Sequence, residues 1–417
     1  MRRGETIAAV STAPGRAGVA VVRVSGDGAF ALAHALTGRA VAPGRIGVAR
    51  VRGEMCVILA FKAPHSYTGE DVVEVQCHGG AIAPQRILAA CFDAGARLAR
   101  PGEFTERAFL NGRLSLDEAE AVIDLIDAKT ERAAEAALSG LDGTRDKALR
   151  ALYDEALDLS STLEHALDVD ESDLPDGFER QMASRLDELA GQIDAARRRL
   201  REGALLHEGA LVVLAGPPNA GKSSLLNALL GENRAIVSPT AGTTRDAIEA
   251  WADFGGWPVR LVDTAGLRET SDSVEAEGVA RAEALVARAD VVVALGGARG
   301  TIAVHAKCDL GHGPGLNVSA VTGEGLDDLK RAIVAALEEK VAQGGALAEA
   351  AGERRRQIDS ALAAARAALA EGAPHARDLV LLGNAARRVA GILGELIGAE
   401  YSADLLDRLF SRFCVGK

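Results

Sequence analysis

A chain of 417 residues is too long for one ordinary hydrophobic core and predicts about two to four domains. With 48% hydrophobic and 25% charged residues it has a soluble, globular composition, and no run of about 18 uncharged apolar residues offers a membrane span. A net charge of −12 excludes a global basic field for nucleic acid. Five cysteines without C-x-x-C spacing (Cys56, Cys77, Cys91, Cys308, Cys414) argue against a disulfide framework or zinc site and predict a reducing, cytoplasmic setting. Met1-Arg2-Arg3-Gly4-Glu5 has no apolar signal-peptide core.

Residues 1–115 read as an α/β domain. Strands are expected at 6–10, 19–24, 55–61 and 72–77, and a helix at 82–94. Its polar stretches, Ser66-Tyr67-Thr68-Gly69-Glu70-Asp71 and Gln76-Cys77-His78-Gly79-Gly80, lack metal-ligand spacing, and His78 reads as a structural histidine. From about 116 the pattern is helical. Leu149, Leu152, Ala156, Leu159, Leu163 and Ala166 recur at steps of three and four, as do Met182, Leu186, Leu189, Ile193, Ala196 and Leu200. Each stripe predicts one long helix of an antiparallel bundle, with 168–177 as the loop between them. Helices are also expected at 353–369 and 379–413. The helical domain would then comprise 116–206 and 342–417, interrupted by an inserted domain at 207–341. The runs Arg197-Arg198-Arg199 and Arg354-Arg355-Arg356 read as solvated helix faces, or alternatively as local basic patches for RNA.

The insertion carries Gly216-Pro217-Pro218-Asn219-Ala220-Gly221-Lys222-Ser223-Ser224, a match to G-x-x-x-x-G-K-[ST]. An apolar run, 211–215, precedes it as an expected strand, and 224–230 follows as an expected helix. In that setting backbone N–H groups and the helix N-terminus meet a phosphate. Lys222 would reach the β- and γ-phosphates and the Ser223 hydroxyl would hold Mg²⁺. A chance glycine-rich turn is the plainer alternative, but two further signals follow. Asp263-Thr264-Ala265-Gly266 comes after a second apolar run, 259–262, where a Mg²⁺-sensing switch loop belongs. Between them lies Thr240-Ala241-Gly242-Thr243-Thr244-Arg245-Asp246, whose Thr244 offers the metal a second hydroxyl. That order describes a GTPase of the translation-factor type more than an ATPase.

Together with these motifs, Arg100-Pro101-Gly102-Glu103-Phe104-Thr105-Glu106-Arg107 and the tail Phe413-Cys414-Val415-Gly416-Lys417 make the chain resemble the MnmE (TrmE) family of bacterial tRNA-modifying GTPases. The resemblance covers nearly the whole chain. It implies a homodimer with an N-terminal folate-binding domain and a complex, heterotetrameric or larger, with the FAD-containing protein MnmG (GidA). Together they install a carboxymethylaminomethyl or aminomethyl group on C5 of the wobble uridine of certain tRNAs. By the same resemblance Arg23, Glu74, Arg113 and Lys417 fall where 5-formyl- or 5,10-methylene-tetrahydrofolate binds. Arginines suit the glutamate tail's carboxylates and a glutamate accepts from pterin N–H groups, although surface ion pairs would look the same in sequence. Cys414 matches a cysteine with a proposed catalytic role, or else packs as a small residue near the folate. Hydrolysis is implied to be K⁺-activated, with Asn219, Ser238, Thr240 and Thr243 around the cation in place of an arginine finger. Glu275 is implied to orient the attacking water; alone it would read as a solvated acid beside Glu277.

The base-reading motif N-K-x-D departs from the family, appearing here as Ala306-Lys307-Cys308-Asp309. Asp309 can still pair with guanine and Lys307 can cover the ring. Losing the asparagine's hydrogen bonds costs on the order of 1–3 kcal/mol, or roughly five- to a hundredfold in affinity. Strands are expected at 290–295 and 301–305, too close for a helical crossover, and 309–318 leaves no room for one either. The expected fold is therefore multidomain α/β plus all-α, with a Ras-like P-loop domain shortened by two helices on its guanine side. Ser319-Ala320 resembles the last base-contacting motif. Two other functions stay open, a ribosome-assembly GTPase switch and a folate-binding scaffold whose G domain has degenerated.

Overall fold

Alternation along Glu54–Phe61, with Cys56, Ile58 and Ala60 buried between more open neighbours, gives that strand one apolar side for a core. The computed structural model describes residues 5–231, 249–263, 283–344, 352–372, 378–398, 406 and 409–417. Two compact units emerge: Met1–Ile123 with Gly140–Gly143 and Glu400–Lys417, and Asp124–Ser139 with Thr144–Ala399.

The first unit holds a six-stranded sheet built from β1 (Ile7–Val10), β2 (Ala20–Ser25), β3 (Ile46–Val51), β4 (Glu54–Phe61), β5 (Val72–Cys77) and β6 (Arg97–Leu98) in the order β3-β4-β5-β2-β1-β6. All neighbours are antiparallel except β1 and β6. Helices α1 (Ala29–Thr37) and α2 (Ala83–Asp93) supply Leu32, Ile87 and Cys91 to one face, against Val22, Val24, Ile58 and Val75. On the other face, register sets Ile46 opposite Leu59 and Val48 opposite Val57, and Ile46, Val48, Met55 and Phe61 are exposed. Beyond β6 come α3 (Glu103–Leu110) and α4 (Leu116–Asp127). Glu400–Lys417 groups with this unit rather than with the helices before it, because Leu409, Phe410 and Phe413 bury against Phe109, Leu116 and Ile123.

In the second unit, α5 (Glu131–Leu141) is followed by α6 (Thr144–Leu167) and α7 (Phe178–Glu208). Both predicted stripes face inwards. Leu149 to Ala166 are buried throughout, and of the second set only Ala196 is partly open. Helices Glu353–Gly372 and Leu379–Gly398 add Ile358, Leu362, Val389 and Leu393 to the same core, so the bundle is begun before the inserted segment and completed after it. The arginine runs correct both sequence readings in part. Arg354 and Arg355 are buried, Arg355 pairing with Asp124, and Arg197 pairs with Asp359 at 3.0 Å. A buried guanidinium needs such a carboxylate, and neighbouring helices supply it.

The inserted sheet runs β12-β11-β10-β7-β9-β8, from β7 (Ala210–Ala215), β8 (Glu249–Phe254), β9 (Trp257–Asp263), β10 (Val291–Leu295), β11 (Ile302–Ala306) and β12 (Leu316–Val318). Only β8 and β9 are antiparallel. β7 is apolar from end to end because both its faces are covered. Leu225, Leu226 and Leu229 of α8 (Lys222–Gly231) join Leu329, Ile333 and Leu337 on one side, and Leu285, Val286 and Ala289 lie on the other.

The expected loss of two helices is present. Parallel β10 and β11 are joined by six residues, 296–301, and β11 and β12 by nine, which contain only the 3₁₀ turn Cys308–Leu310. These returns lie against the strands themselves. A Cβ on Gly300 would stand 2.7 Å from the Val292 carbonyl, and one on Gly315, where φ is +93°, 2.6 Å from that of Ala303. Glycine is required at both. The Thr301 hydroxyl accepts from Val292 N–H at 3.1 Å, and Asn317 bonds Gly313 and Gly315 through both side-chain atoms. Among the described residues no helix is long and apolar enough to cross a membrane.

Candidate functional site

The parallel ends of β7 and β9 create the first site. Register places Leu214 beside Asp263, so the strand that feeds the glycine-rich loop ends next to a carboxylate. Ser223, in the first turn of α8, donates its hydroxyl to Asp263 Oδ2 at 2.5 Å. Lys222 is buried, and its ammonium donates to the Gly216 and Pro217 carbonyls at 3.0 and 2.9 Å. The loop thus curls around its own cation, whose hydrogen bonds an incoming phosphate oxygen can replace. Asn219 adopts a left-handed backbone (φ +61°), and its carbonyl accepts from Lys307 Nζ at 3.1 Å. Ala220 and Gly221 complete the loop; Ser224 is exposed on α8.

Beyond β11 and β12, Asp309 is held by Ser319, fully buried, whose hydroxyl donates to Oδ1 at 2.6 Å and accepts from the Val321 and Thr322 N–H groups. Ser319 orients the carboxylate, a role for which S-A was the only sequence cue. Ser238, Thr240, Gly242, Thr243, Thr244, Thr264, Ala265, Gly266 and Glu275 lie outside the described residues.

A second cluster lies in the α/β unit. Arg23 of β2 faces Glu74 of β5 in register and pairs with it at 2.8 Å. Its guanidinium lies over the rings of Tyr67 (5.0 Å) and Phe104 (5.7 Å), two aromatics that sequence reading quoted only as motif letters. Tyr67 Oη and Thr105 Oγ1 share a 2.8 Å hydrogen bond, and burial raises the phenol's pKa. The tail enters beside this pair. Gly102 and Phe104 N–H groups donate to the Cys414 and Lys417 carbonyls, and Pro101 bridges to Val415. Burial, and next the Arg23 charge, lower the pKa of Lys417, with Glu74 opposing. Arg113 runs along Gly69, two residues beyond Tyr67. Arg23 and the Lys417 ammonium are thus two cations around the Glu74 carboxylate, a setting suited to an anionic ligand. Cys414 is exposed, whereas Cys77 and Cys91 are buried and their thiols are pushed up to about 11 and about 12. His78 is a satisfied histidine at the surface, its backbone N–H and ring Nδ1 both meeting Glu54 Oε1 at 2.7 and 2.8 Å.

A parallel sheet with this loop, lysine and serine–aspartate pair defines a P-loop nucleotide-binding domain, here interrupting a helical bundle. The family model described as GTP-binding protein TrmE N-terminus matches residues 6–113, and the MnmE helical domain model matches 116–414. Proteins named tRNA modification GTPase MnmE are similar over the full length. The one from Symbiobacterium thermophilum is 39% identical (99% of each chain). Those from Azoarcus sp. and Methylobacterium radiotolerans are 42% and 43% identical, over 100% of this chain and 99% and 100% of theirs. The chain belongs to the MnmE (TrmE) family of tRNA modification GTPases. Aligned spans of 446–464 positions against 417 residues mean that these relatives carry segments absent here. The G domain of the T. maritima FeoB iron transporter is 28% identical over 30% of this chain and 98% of its own, with a TM-score of 0.24, too loose a likeness to carry an inference.

Proposed function

We propose that this protein is a cytoplasmic, K⁺-activated GTPase that acts with the FAD protein MnmG on the wobble uridine of certain tRNAs, drawing its one-carbon unit from a bound tetrahydrofolate. The observation that carries the GTPase part is the Ser223–Asp263 contact at the mouth of a loop whose lysine is already buried within it. Two hard oxygen donors in contact fit Mg²⁺, with Thr244 as a further hydroxyl. Bound there, Mg²⁺ neutralises charge on the β- and γ-phosphates. Lys222 holds the phosphates, Asp309 and Lys307 hold guanine, and Gly221 with the α8 N-terminus presents N–H groups to the β-phosphate. Asn219, Ser238, Thr240 and Thr243 offer oxygens of the kind K⁺ takes, and Glu275 is assigned to orient water.

Arg23, Glu74, Arg113 and Lys417 are assigned to folate, and the two cations of Arg23 and Lys417 about Glu74 support an anionic ligand. Cys414 is the exposed thiol beside it. The open sheet face with Ile46, Val48, Met55 and Phe61 supports a homodimer through the α/β unit.

GTP turnover by the purified protein with Mg²⁺, in KCl against NaCl and with ATP as control, tests the reading. Faster turnover of GTP in K⁺ supports it; no turnover and no GTP binding in either salt refutes it. Ala306 and the two helix-free returns favour a second reading, a folate-binding scaffold with a weak G domain. Folate binding without GTP turnover would select that one.

A further inference from the structure

We propose that Arg132, at the start of α5, is a positioning residue for the nucleotide site. It acts through Trp257 and Glu202 on the two strands that bring Ser223 and Asp263 together. Trp257, buried with 1% of its surface exposed, opens the seven-residue β9, and Asp263 closes it. The Arg132 guanidinium lies 4.3 Å from the centre of the Trp257 ring, close enough for a cation–π contact. The same guanidinium donates to Glu202 of α7 at 2.5 Å. α7 leads through Gly209 into β7 and so into the glycine-rich loop. One side chain therefore ties the far ends of both routes into the site, the route to Ser223 and the route to Asp263.

The hold is reinforced beside it. The Thr130 hydroxyl donates to the Gly256 carbonyl at 2.7 Å and caps α5 by accepting from Ala133 N–H at 3.2 Å. Ala133 belongs to the same apolar core as Trp257 and Leu206. β8 and β9 form the hairpin joined at Gly255-Gly256; β8 follows the Thr240–Thr244 segment in sequence, and β9 runs directly into Asp263. A ligand that draws Ser223 and Asp263 onto a shared cation pulls on the strand whose first residue lies under Arg132. The nucleotide state is then felt at α5 and α7, and Arg132 in turn sets the alignment of the pair.

This rests on the nucleotide reading of the Ser223–Asp263 pair, and the experiment separates the two. The chain has two tryptophans, so Trp251→Phe leaves Trp257 as the sole indole. In that full-length background, Mg²⁺–GDP binding is measured by calorimetry and Trp257 emission is recorded with and without nucleotide. The expected result is a nucleotide-dependent change of emission that Arg132→Ala abolishes while GDP is still bound, and that Arg132→Lys partly restores. A side chain that only stabilised the fold would lower the melting temperature without uncoupling emission from binding. Should Arg132→Ala fail to fold, Glu202→Ala severs the link to α7 and leaves the ring contact, and a weakened emission response is expected there too. Bound GDP with no emission change in the parent, or with an equal change in the variants, overturns the role of Arg132 alone. Failure of the parent to bind GDP overturns the nucleotide reading and this proposal with it.

Discussion

Restoring the missing asparagine, Ala306→Asn, is expected to tighten nucleotide binding. Ala306 ends β11 facing the glycine-rich loop: a Cβ added at Gly221 would lie 3.8 Å from the Ala306 Cβ. Its register partner on β12 is Val318, one residue before Ser319. An amide at 306 therefore reaches towards both the loop backbone and the Ser319 turn. Two new hydrogen bonds at about 0.5–1.5 kcal/mol each come to about 1–3 kcal/mol, roughly five- to a hundredfold in affinity. Titration of a fluorescent GDP analogue, with unlabelled GDP and ADP as competitors, reads the gain. It should appear for GDP and not for ADP, because Asp309 is assigned the guanine-specific pairing. An unchanged or weaker GDP affinity in a folded variant would show that the two short returns, and not residue 306, limit the base site.

Three other changes follow from particular contacts. Gly102→Ala forces a left-handed backbone (φ +67°) on alanine and drives its Cβ to 2.4 Å from the Phe410 carbonyl; a loss of about 2 kcal/mol or more is expected in urea unfolding. Burial of Glu103 works to raise its pKa, but Arg97 hydrogen bonds, the Arg100 N–H and the charges of both arginines together lower it to about 2. Against an unfolded value of about 4.3, this carboxylate contributes stability that is complete above that pH and lost as pH falls from there towards 2. Melting temperatures between pH 6 and 3 should therefore fall less steeply for Glu103→Gln than for the parent. Arg23→Ala removes the charge-assisted partner of an anionic ligand and should weaken 5-formyl-tetrahydrofolate binding roughly ten- to a hundredfold by calorimetry, with GTP turnover unchanged.

Most elements were legible because their patterns are strong. The expected strand 72–77 is β5 to the residue, and helix 82–94 differs from α2 by one residue at each end. Both leucine stripes face the bundle core. What escaped was weak in pattern. β3 (Ile46–Val51) lies at a sheet edge with Ile46 and Val48 exposed, so its alternation lacks the polar partners that mark a strand. β8 mixes Glu249 and Asp253 with Ala250, Trp251, Ala252 and Phe254, a pattern too irregular to mark a strand before it pairs with β9. At the site, the P-loop spacing gave Lys222 and Ser223 directly. Tyr67 and Phe104 could not be found that way, since their use depends on β2 and β5 bringing Arg23 between them. The buried Arg355 shows the same limit: no sequence pattern says that Asp124, over two hundred residues earlier, supplies the partner.

The shortened edge explains how a G domain can lose two crossover helices without collapsing. Such helices normally bury one face of the strands they connect. Here that face is narrow, carried by the buried Val292 and Ala294, and the returning chain lies directly on it because glycine at 300, like that at 315 against the Ala303 carbonyl, lets backbone lie on backbone. The opposite face keeps its full cover from α8 and Leu326–Gln343, where Leu329, Ile333 and Leu337 are buried. Short connections also lower the loop-closure entropy of the parallel pairing. What is given up is local: walls around the base, while β7, β9, Lys222 and the Ser223–Asp263 contact are retained. On the proposed nucleotide reading, phosphate binding and base recognition are therefore separable in this chain, and any loss of function should be felt first as poorer discrimination between guanine and other bases. A nucleotide whose base is altered but whose triphosphate is intact should bind with less penalty here than to a G domain whose two crossovers are helical.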